Sequence, residues 1–139
     1  MTGYKFEDLS VGMTASVAKT ITDADILLFS AVSTDTNPLH IDAEAAEQSL
    51  FKGRVAHGML SAGLISAALG TRLPGPGAIY LSQNLRFRAP VRPGDTVTAT
   101  VEITALDAER KRATLKTLCL VKGKTVIEGE AVVQVPARG

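Results

Sequence analysis

The sequence predicts an α+β fold in which a long apolar helix packs against an antiparallel β-sheet. Three observations lead to this class. Helical patterns are gathered in the first half of the chain, and strand-like alternation fills the second half. Alternating strand–helix–strand units, which would favour a parallel sheet, are not seen. Because the longest helical segment is apolar over most of its length, we expect the sheet to wrap around it.

The first strand and helix are predicted from the segment that follows "LSVG". Residues 13–20 have the pattern of a strand. Thr22 then has the character of a helix N-cap, with Asp25 three positions later in capping-box spacing. The apolar residues from 26 to 32 continue this helix. We therefore expect a strand followed directly by a capped helix.

Pro38 is expected to end that helix, because proline has no backbone N–H and disfavours a helical residue before it. The chain should then form a loop. Residues 42–50 can form a short second helix, with Asp42 as its cap. The nearly uncharged stretch from 55 to 71 predicts the long helix, buried on most sides.

The second half of the chain predicts four strands. Residues 80–88 alternate polar and apolar side chains, as a half-buried strand does. Strand-like runs follow at 96–106, 113–121 and 125–135, separated by the turn sequences "RPGD", "DAERK" and "KGK". These strands complete the predicted antiparallel sheet.

Size and composition indicate one globular domain spanning residues 1–139. Hydrophobic residues make up 45% and charged residues 21% of the chain, so it should bury a core. Lys plus Arg total 15 against 14 for Asp plus Glu, a balance that favours neither nucleic acid nor an anionic membrane as a partner. The N-terminus contains acids and no signal-like apolar run, which predicts a cytoplasmic protein. The single cysteine, Cys119, is expected to be a buried small hydrophobe.

The stretch "STDTNPLHID" contains the first candidate site. Asp35 and His40 flank an Asn-Pro turn that would let their side chains converge, and a carboxylate and an imidazole sharing a water form a general acid/base pair. Alternatively, Asp35 caps a turn and His40 makes a structural hydrogen bond. A third interpretation is a metal site formed by Asp35, His40, Asp42 and His57, although the usual ligand spacings are missing. We expect no metal.

The start of the long helix contains a second candidate site at His57 and Gly58. Glycine would allow a ligand close to backbone N–H groups that lack helical partners, and the helix dipole favours developing negative charge there. The alternatives are that Gly58 serves close packing and that His57 is structural. Ser66 is either a core hydroxyl or a polar group facing a site. A set of cations could bind an anionic group or form a solvated surface: Lys52, Arg54, Arg86, Arg88 and Arg92.

Three segments together resemble the MaoC-like (R)-specific enoyl-CoA hydratases of the hot-dog superfamily. They are the Asp35-x-Asn37-Pro38-x-His40 element, the His57-Gly58-Met59 triplet and "IYLSQNLRFRAPVRPGDTV". The resemblance runs from about residue 9 to 135. It implies a hot-dog fold, with a curved antiparallel sheet wrapped around a long central helix, and a homodimer with an acyl tunnel near the interface.

The resemblance also implies roles for individual residues. Asp35 and His40 match the family's catalytic dyad, and Gly58 matches its backbone oxyanion donor. Asn37 would shape the loop, and Ser66 would line the site. Leu69 and Val132 fall where the family shapes its acyl pocket.

The implied activity is that of a hydro-lyase acting on an acyl-CoA substrate. It would hydrate trans-2-enoyl-CoA reversibly to (R)-3-hydroxyacyl-CoA, with no cofactor, since coenzyme A is part of the substrate. Two alternatives stay open at this point. One is a 3-hydroxyacyl-[acyl-carrier-protein] dehydratase of fatty-acid synthesis, and the other is a non-catalytic acyl-CoA-binding module with the same fold.

Overall fold

The computed structural model describes residues 2–139, and the predicted α+β class is confirmed. A short 3₁₀ turn at Phe6–Asp8 precedes the first strand. The elements that follow are β1 (Thr14–Thr20), α1 (Asp23–Ser33), α2 (Pro38–Ile41), α3 (Ala43–Glu47), α4 (Gly58–Thr71), β2 (Ile79–Phe87), β3 (Thr96–Asp107), β4 (Arg112–Val121) and β5 (Lys124–Gln134).

The five strands form one antiparallel sheet in the order β1-β3-β4-β5-β2. Helix α4 packs against β1, β3 and β4. This curved sheet around a central helix is the hot-dog arrangement that the resemblance implies. Ile65 and Leu69 from α4 meet Ile103 and Leu115 from the sheet in the core. Cys119 on β4 is buried as expected, and its Sγ lies 3.5 Å from the carbonyl oxygen of Ser61 on α4.

Helix α1 begins at the predicted capping box. The Asp25 N–H donates to Thr22 Oγ1 at 3.1 Å, and the Thr22 N–H donates to Asp25 Oδ2 at 2.9 Å. The Lys19 ammonium bonds the same carboxylate at 2.8 Å. This ion pair, together with the bond from the Thr22 N–H, holds the pKa of Asp25 below its usual value. Thr34 is the C-cap of the helix, and its φ of 64° is strained for a β-branched residue. This strain lies directly before Asp35.

The loop predicted after α1 is only partly correct, and the expectation that Pro38 ends this helix is wrong. Helix α1 already stops at Ser33, and Pro38 instead begins a helical turn. Proline is well suited to the first helical position, where its N–H would have no partner. Asn37 caps α2, its Oδ1 accepting from the Leu39 N–H at 3.1 Å. Asp42 caps α3 as predicted, accepting from the N–H groups of Glu44 and Ala45 at 3.1 Å each.

Helix α4 is buried or half-buried around most of its circumference, as expected, except for one exposed stripe. Met59, Gly63 and Ser66 form an exposed stripe along the helix. The stripe lies beside β2, an edge strand with Tyr80 and Leu81 also exposed. The fold thus leaves an apolar face next to a free sheet edge. Within residues 2–139, the helices are too short or too polar to cross a membrane.

Candidate active site

The turn between α1 and α2 brings Asp35 and His40 together. A carboxylate oxygen of Asp35 and one ring nitrogen each of His40 and His57 lie within 4.8 Å of one another. The Asn37 N–H donates to Asp35 Oδ1 at 3.3 Å, which folds the turn back on itself. A separation of this size suits a water molecule that bridges a carboxylate and an imidazole. The Asp35 side chain is exposed in the single chain, so core packing does not fix its position.

His40 is oriented by its backbone contacts. Its Nδ1 lies 2.7 Å from the carbonyl oxygen of Val55. A carbonyl can only accept, so Nδ1 carries the hydrogen, and the neutral ring keeps its lone pair on Nε2. The Arg54 side chain donates from Nε to the His40 carbonyl at 2.8 Å and from Nη1 to Asp23 Oδ1 at 2.7 Å. These contacts fix His40 with an available acceptor nitrogen.

His57 lies under the dyad and is only 2% exposed. Its ring stacks on His40 with centroids 3.8 Å apart and planes inclined by 27°. His57 Nε2 lies 2.9 Å from the Asp35 carbonyl oxygen and 3.1 Å from Ser30 Oγ. Among residues 2–139, no hydrogen-bond partner is found for the buried Nδ1. Sequence reasoning missed this contact with the Asp35 turn.

The residues of the alternative metal-site interpretation come together only in part. Asp35, His40 and His57 converge, whereas Asp42 is occupied at the cap of α3. The two imidazole rings stack on one another, and each ring already bonds a backbone carbonyl oxygen. This geometry suits a hydrogen-bonded water better than a tetrahedral metal shell.

A pocket of about 310 Å³ opens beside His40. Gly58, Phe87 and Val91 are among its lining residues. The helix start leaves the first N–H groups of α4 without helical partners, which makes them suitable donors to an oxyanion. A Cβ at Gly58 would lie 2.5 Å from a ring carbon of Phe87, so only glycine allows this close approach. Nothing in the sequence pattern distinguished Phe87 as a site residue.

A second pocket, of about 390 Å³, lies between α4 and β2. Ser66 lines this pocket and not the first one, together with Met59 and Leu85. Since Met59 follows Gly58 and Leu85 lies two positions before Phe87, the two pockets are neighbours along the same helix and strand.

The two residues expected to shape an acyl pocket are not brought together within this chain. Leu69 lies on the inner face of α4, is 2% exposed and packs in the core. Val132 on β5 is half-buried, and its neighbours Ala131 and Val133 are buried in the core. Because side chains alternate along a strand, Val132 faces the opposite side of the sheet from α4.

The expected cationic cluster is largely committed to internal contacts. Arg88 bonds Glu128 at 2.5 Å, and Arg92 donates to the Phe51 carbonyl at 2.5 Å. Arg54 bonds His40 and Asp23, as described above. Within the described part of the chain, Lys52 and Arg86 form no ion pair, which leaves them available to an anion.

Comparison with known proteins identifies the family. Residues 9–130 match the model of the MaoC like domain. An (R)-specific enoyl-CoA hydratase of Rhodospirillum rubrum is 63% identical, the alignment covering 98% of this chain and 94% of that one. A 3-hydroxybutyryl-CoA dehydratase of Methylorubrum extorquens is 50% identical, with coverages of 96% and 85%.

A solved structure agrees with these sequence matches. The (R)-hydratase of Aeromonas caviae involved in PHA biosynthesis superposes with a TM-score of 0.91 at 45% identity, covering 94% of this chain and 99% of that one. The family match spans most of the sequence, and the fold agrees over nearly its whole length. The chain therefore belongs to the family of MaoC-like domains.

Proposed function

We propose that the protein is an (R)-specific enoyl-CoA hydratase, a hydro-lyase that adds water reversibly to trans-2-enoyl-CoA. The observation that carries this proposal is the convergence of Asp35 and His40 beside a pocket that includes Gly58. Two relatives, one named as a hydratase and one as a dehydratase, are named for the two directions of such a reaction.

The first part of the mechanism assigns the thioester carbonyl to the start of α4. Its oxygen would accept a hydrogen bond from the Gly58 N–H, and the helix dipole would favour the negative charge that develops there. This withdraws electrons from the conjugated double bond and makes C3 electrophilic. The thioester itself is the electron sink, so the reaction needs no resident metal or redox cofactor. Coenzyme A enters as part of the substrate.

The second part assigns the water to Asp35 and His40. The carboxylate and the free Nε2 of His40 both accept hydrogen bonds, so together they can orient one water molecule. As the water oxygen attacks C3, the dyad takes one of its protons and a proton is delivered to C2 on the same face. The sum is syn addition of one water molecule, giving (R)-3-hydroxyacyl-CoA. Asn37, which caps α2 and bonds Asp35, would hold the turn in shape.

The second pocket is the proposed site of the acyl chain. It adjoins Gly58 through Met59 and is mostly apolar, with Ser66 as a polar wall residue. Leu69 follows Ser66 by about one helical turn. Of the two residues expected to shape the acyl pocket, it is the one that lies on this helix. Val132 would contribute only from the far face of the sheet, near its pairing partner Ser82.

The proposed assembly is a homodimer. Met59, Tyr80 and Leu81 are 56%, 41% and 44% exposed and lie along the edge strand and the adjacent stripe of α4. Apolar residues at a free sheet edge favour association with a second copy of the same surface. Such a contact would cover the open side of the second pocket.

The direct test is hydration of crotonyl-CoA with chiral analysis of the product. Loss of the enoyl absorbance without release of free thiol, and formation of the (R)-alcohol, is the expected result. Release of thiol would indicate a thioesterase, and binding without turnover would indicate a non-catalytic acyl-CoA-binding module. Parallel assays with crotonyl and 3-hydroxybutyryl groups on acyl carrier protein distinguish the dehydratase alternative.

Dyad variants test the assigned roles. Asp35→Asn and His40→Gln should each lower kcat about 10²–10⁴-fold, the usual contribution of general acid/base catalysis. The double variant should lose little more than the worse single one, because the two residues act on the same water. Asp42→Asn is the matched control, since it neutralises a nearby carboxylate but keeps the α3 cap. A folded Asp35→Asn protein with near wild-type hydration would contradict the mechanism.

A further inference from the structure

His57 connects the three proposed reactive groups. It immediately precedes Gly58, its ring lies against His40, and its Nε2 contacts the backbone of Asp35. The Asp35 carbonyl oxygen can only accept, so Nε2 carries a hydrogen and donates to it. The bond joins positions 22 residues apart, across the turn that contains the dyad.

A purely packing role does not explain an imidazole at this position. The ring is 2% exposed, and its Nδ1 has no partner within residues 2–139. An unpaired buried nitrogen is unfavourable, and a phenyl ring would fill the same space beside Phe29 without one. What the phenyl ring lacks is the N–H that reaches Asp35. The donor at Nε2 is therefore the property that distinguishes histidine here.

The Asp35 turn has few other restraints. Asp35 itself is exposed, and it follows Thr34, which is in a strained left-handed conformation. Its other bonds are local, from its own N–H to Ser33 Oγ at 3.1 Å and from the Asn37 N–H to its carboxylate. The bond from His57 ties this turn directly to the residue that begins α4.

We propose that His57 is a positioning residue for hydration, which holds the Asp35 carboxylate in register with His40 and Gly58. This inference rests on the proposed hydratase function. His57 does not contact the water or the substrate in this assignment. It acts through the backbone of Asp35 and through the face of the His40 ring.

Two substitutions separate the donor from the ring. His57→Phe keeps the stacked ring and removes the donor, so kcat should fall about 10- to 100-fold, the range expected when a reacting group moves by about 1 Å. KM should stay within about twofold, because the pocket walls are retained. The melting temperature should fall, because the buried Ser30 hydroxyl loses its partner, and removal of the unpaired Nδ1 should offset part of this loss. His57→Gln restores an N–H with similar reach and should recover most of the lost kcat.

Ile65→Val is the control for general loosening of α4. Ile65 is fully buried in the same helix and away from the dyad, so this variant should lower the melting temperature and leave kcat unchanged. Wild-type kcat in His57→Phe, or kcat in His57→Gln as low as in His57→Phe, would overturn the positioning role. An inactive wild type would instead overturn the proposed hydratase function, so the two failures are distinguishable.

Discussion

The contact between Gly58 and Phe87 determines how closely a thioester can approach the start of α4. The Phe87 ring occupies the space where a side chain at position 58 would begin, and it also lines the first pocket. Phe87 is 54% exposed, so its ring has solvent into which it can move. A larger residue at position 58 would therefore displace a pocket wall before it disrupted the core.

We predict that Gly58→Ala lowers kcat/KM for crotonyl-CoA by about 10- to 100-fold, because a shift of about 1 Å at the reacting carbonyl has that effect. Adding Phe87→Leu should recover part of the loss by removing the colliding ring atoms. Steady-state kinetics of the single and double variants test this. Gly70→Ala in the same helix is the control, since its Cβ would meet open space. It should stabilise the protein by about 0.5–1 kcal/mol and leave activity unchanged. Equal losses in the single and double variants would show that the ring is not the cause.

The sequence was informative about the dyad because the Asn-Pro turn is a local signal. Asn37 and Pro38 lie between Asp35 and His40, and turn chemistry over five positions predicts that the two side chains approach each other. The bond from His57 to Asp35 depends instead on how the start of α4 packs under the turn. No local sequence pattern predicts such a tertiary contact. The contact between Phe87 and Gly58 could not be predicted for the same reason.

At the scale of whole elements, hydrophobic periodicity predicted each strand to within a few residues, and capping chemistry predicted the start of α1. Two elements differ in part from these expectations. Helix α1 stops at Ser33, before Pro38 is reached, and Pro38 starts α2 because a proline suits the first helical position, where an N–H would have no partner. Helix α4 is apolar all round, yet the rest of the single chain leaves one stripe of it exposed. The sequence shows that the helix needs cover but not what supplies it.

Strand alternation leads to a prediction about chain-length preference that distinguishes Leu69 from Val132. Leu69→Ala should raise the ratio of kcat/KM for 2-hexenoyl-CoA to that for crotonyl-CoA, because it removes bulk below the second pocket. Val132→Ala, on the other face of the sheet, should leave the ratio unchanged. The ratio is insensitive to the fraction of folded enzyme, which matters because Leu69→Ala is expected to cost about 2–5 kcal/mol in stability.

A larger change in Val132→Ala than in Leu69→Ala would mean that the acyl chain passes along the outer face of the sheet. Leu115→Ala removes the same atoms from the core on β4 and controls for nonspecific loosening. The experiment thus decides which side of the sheet the acyl chain contacts.

For the whole molecule, the exposed edge strand leads to a prediction about assembly. Light scattering should find a dimer at micromolar concentration. Leu81→Lys should shift the protein toward monomer, because a charge on an apolar sheet edge opposes pairing with a second copy. Val11→Lys is the matched control, since Val11 is 63% exposed but lies just before β1, near the opposite edge of the sheet. A monomeric wild type, or equal effects of the two lysines, would contradict the proposed interface.

Because Cys119 is buried between β4 and α4, the rate at which a reagent labels its thiol reports on the separation of the sheet from the helix. The thiol has no solvent exposure, and burial raises its pKa to about 12, so the reactive thiolate is scarce in the native state. It is also the only cysteine in the chain, so a thiol reagent has no competing target. Since Sγ lies against the Ser61 carbonyl, labelling requires β4 and α4 to separate. The rate of modification therefore measures how often the sheet opens from its central helix, without any engineered probe.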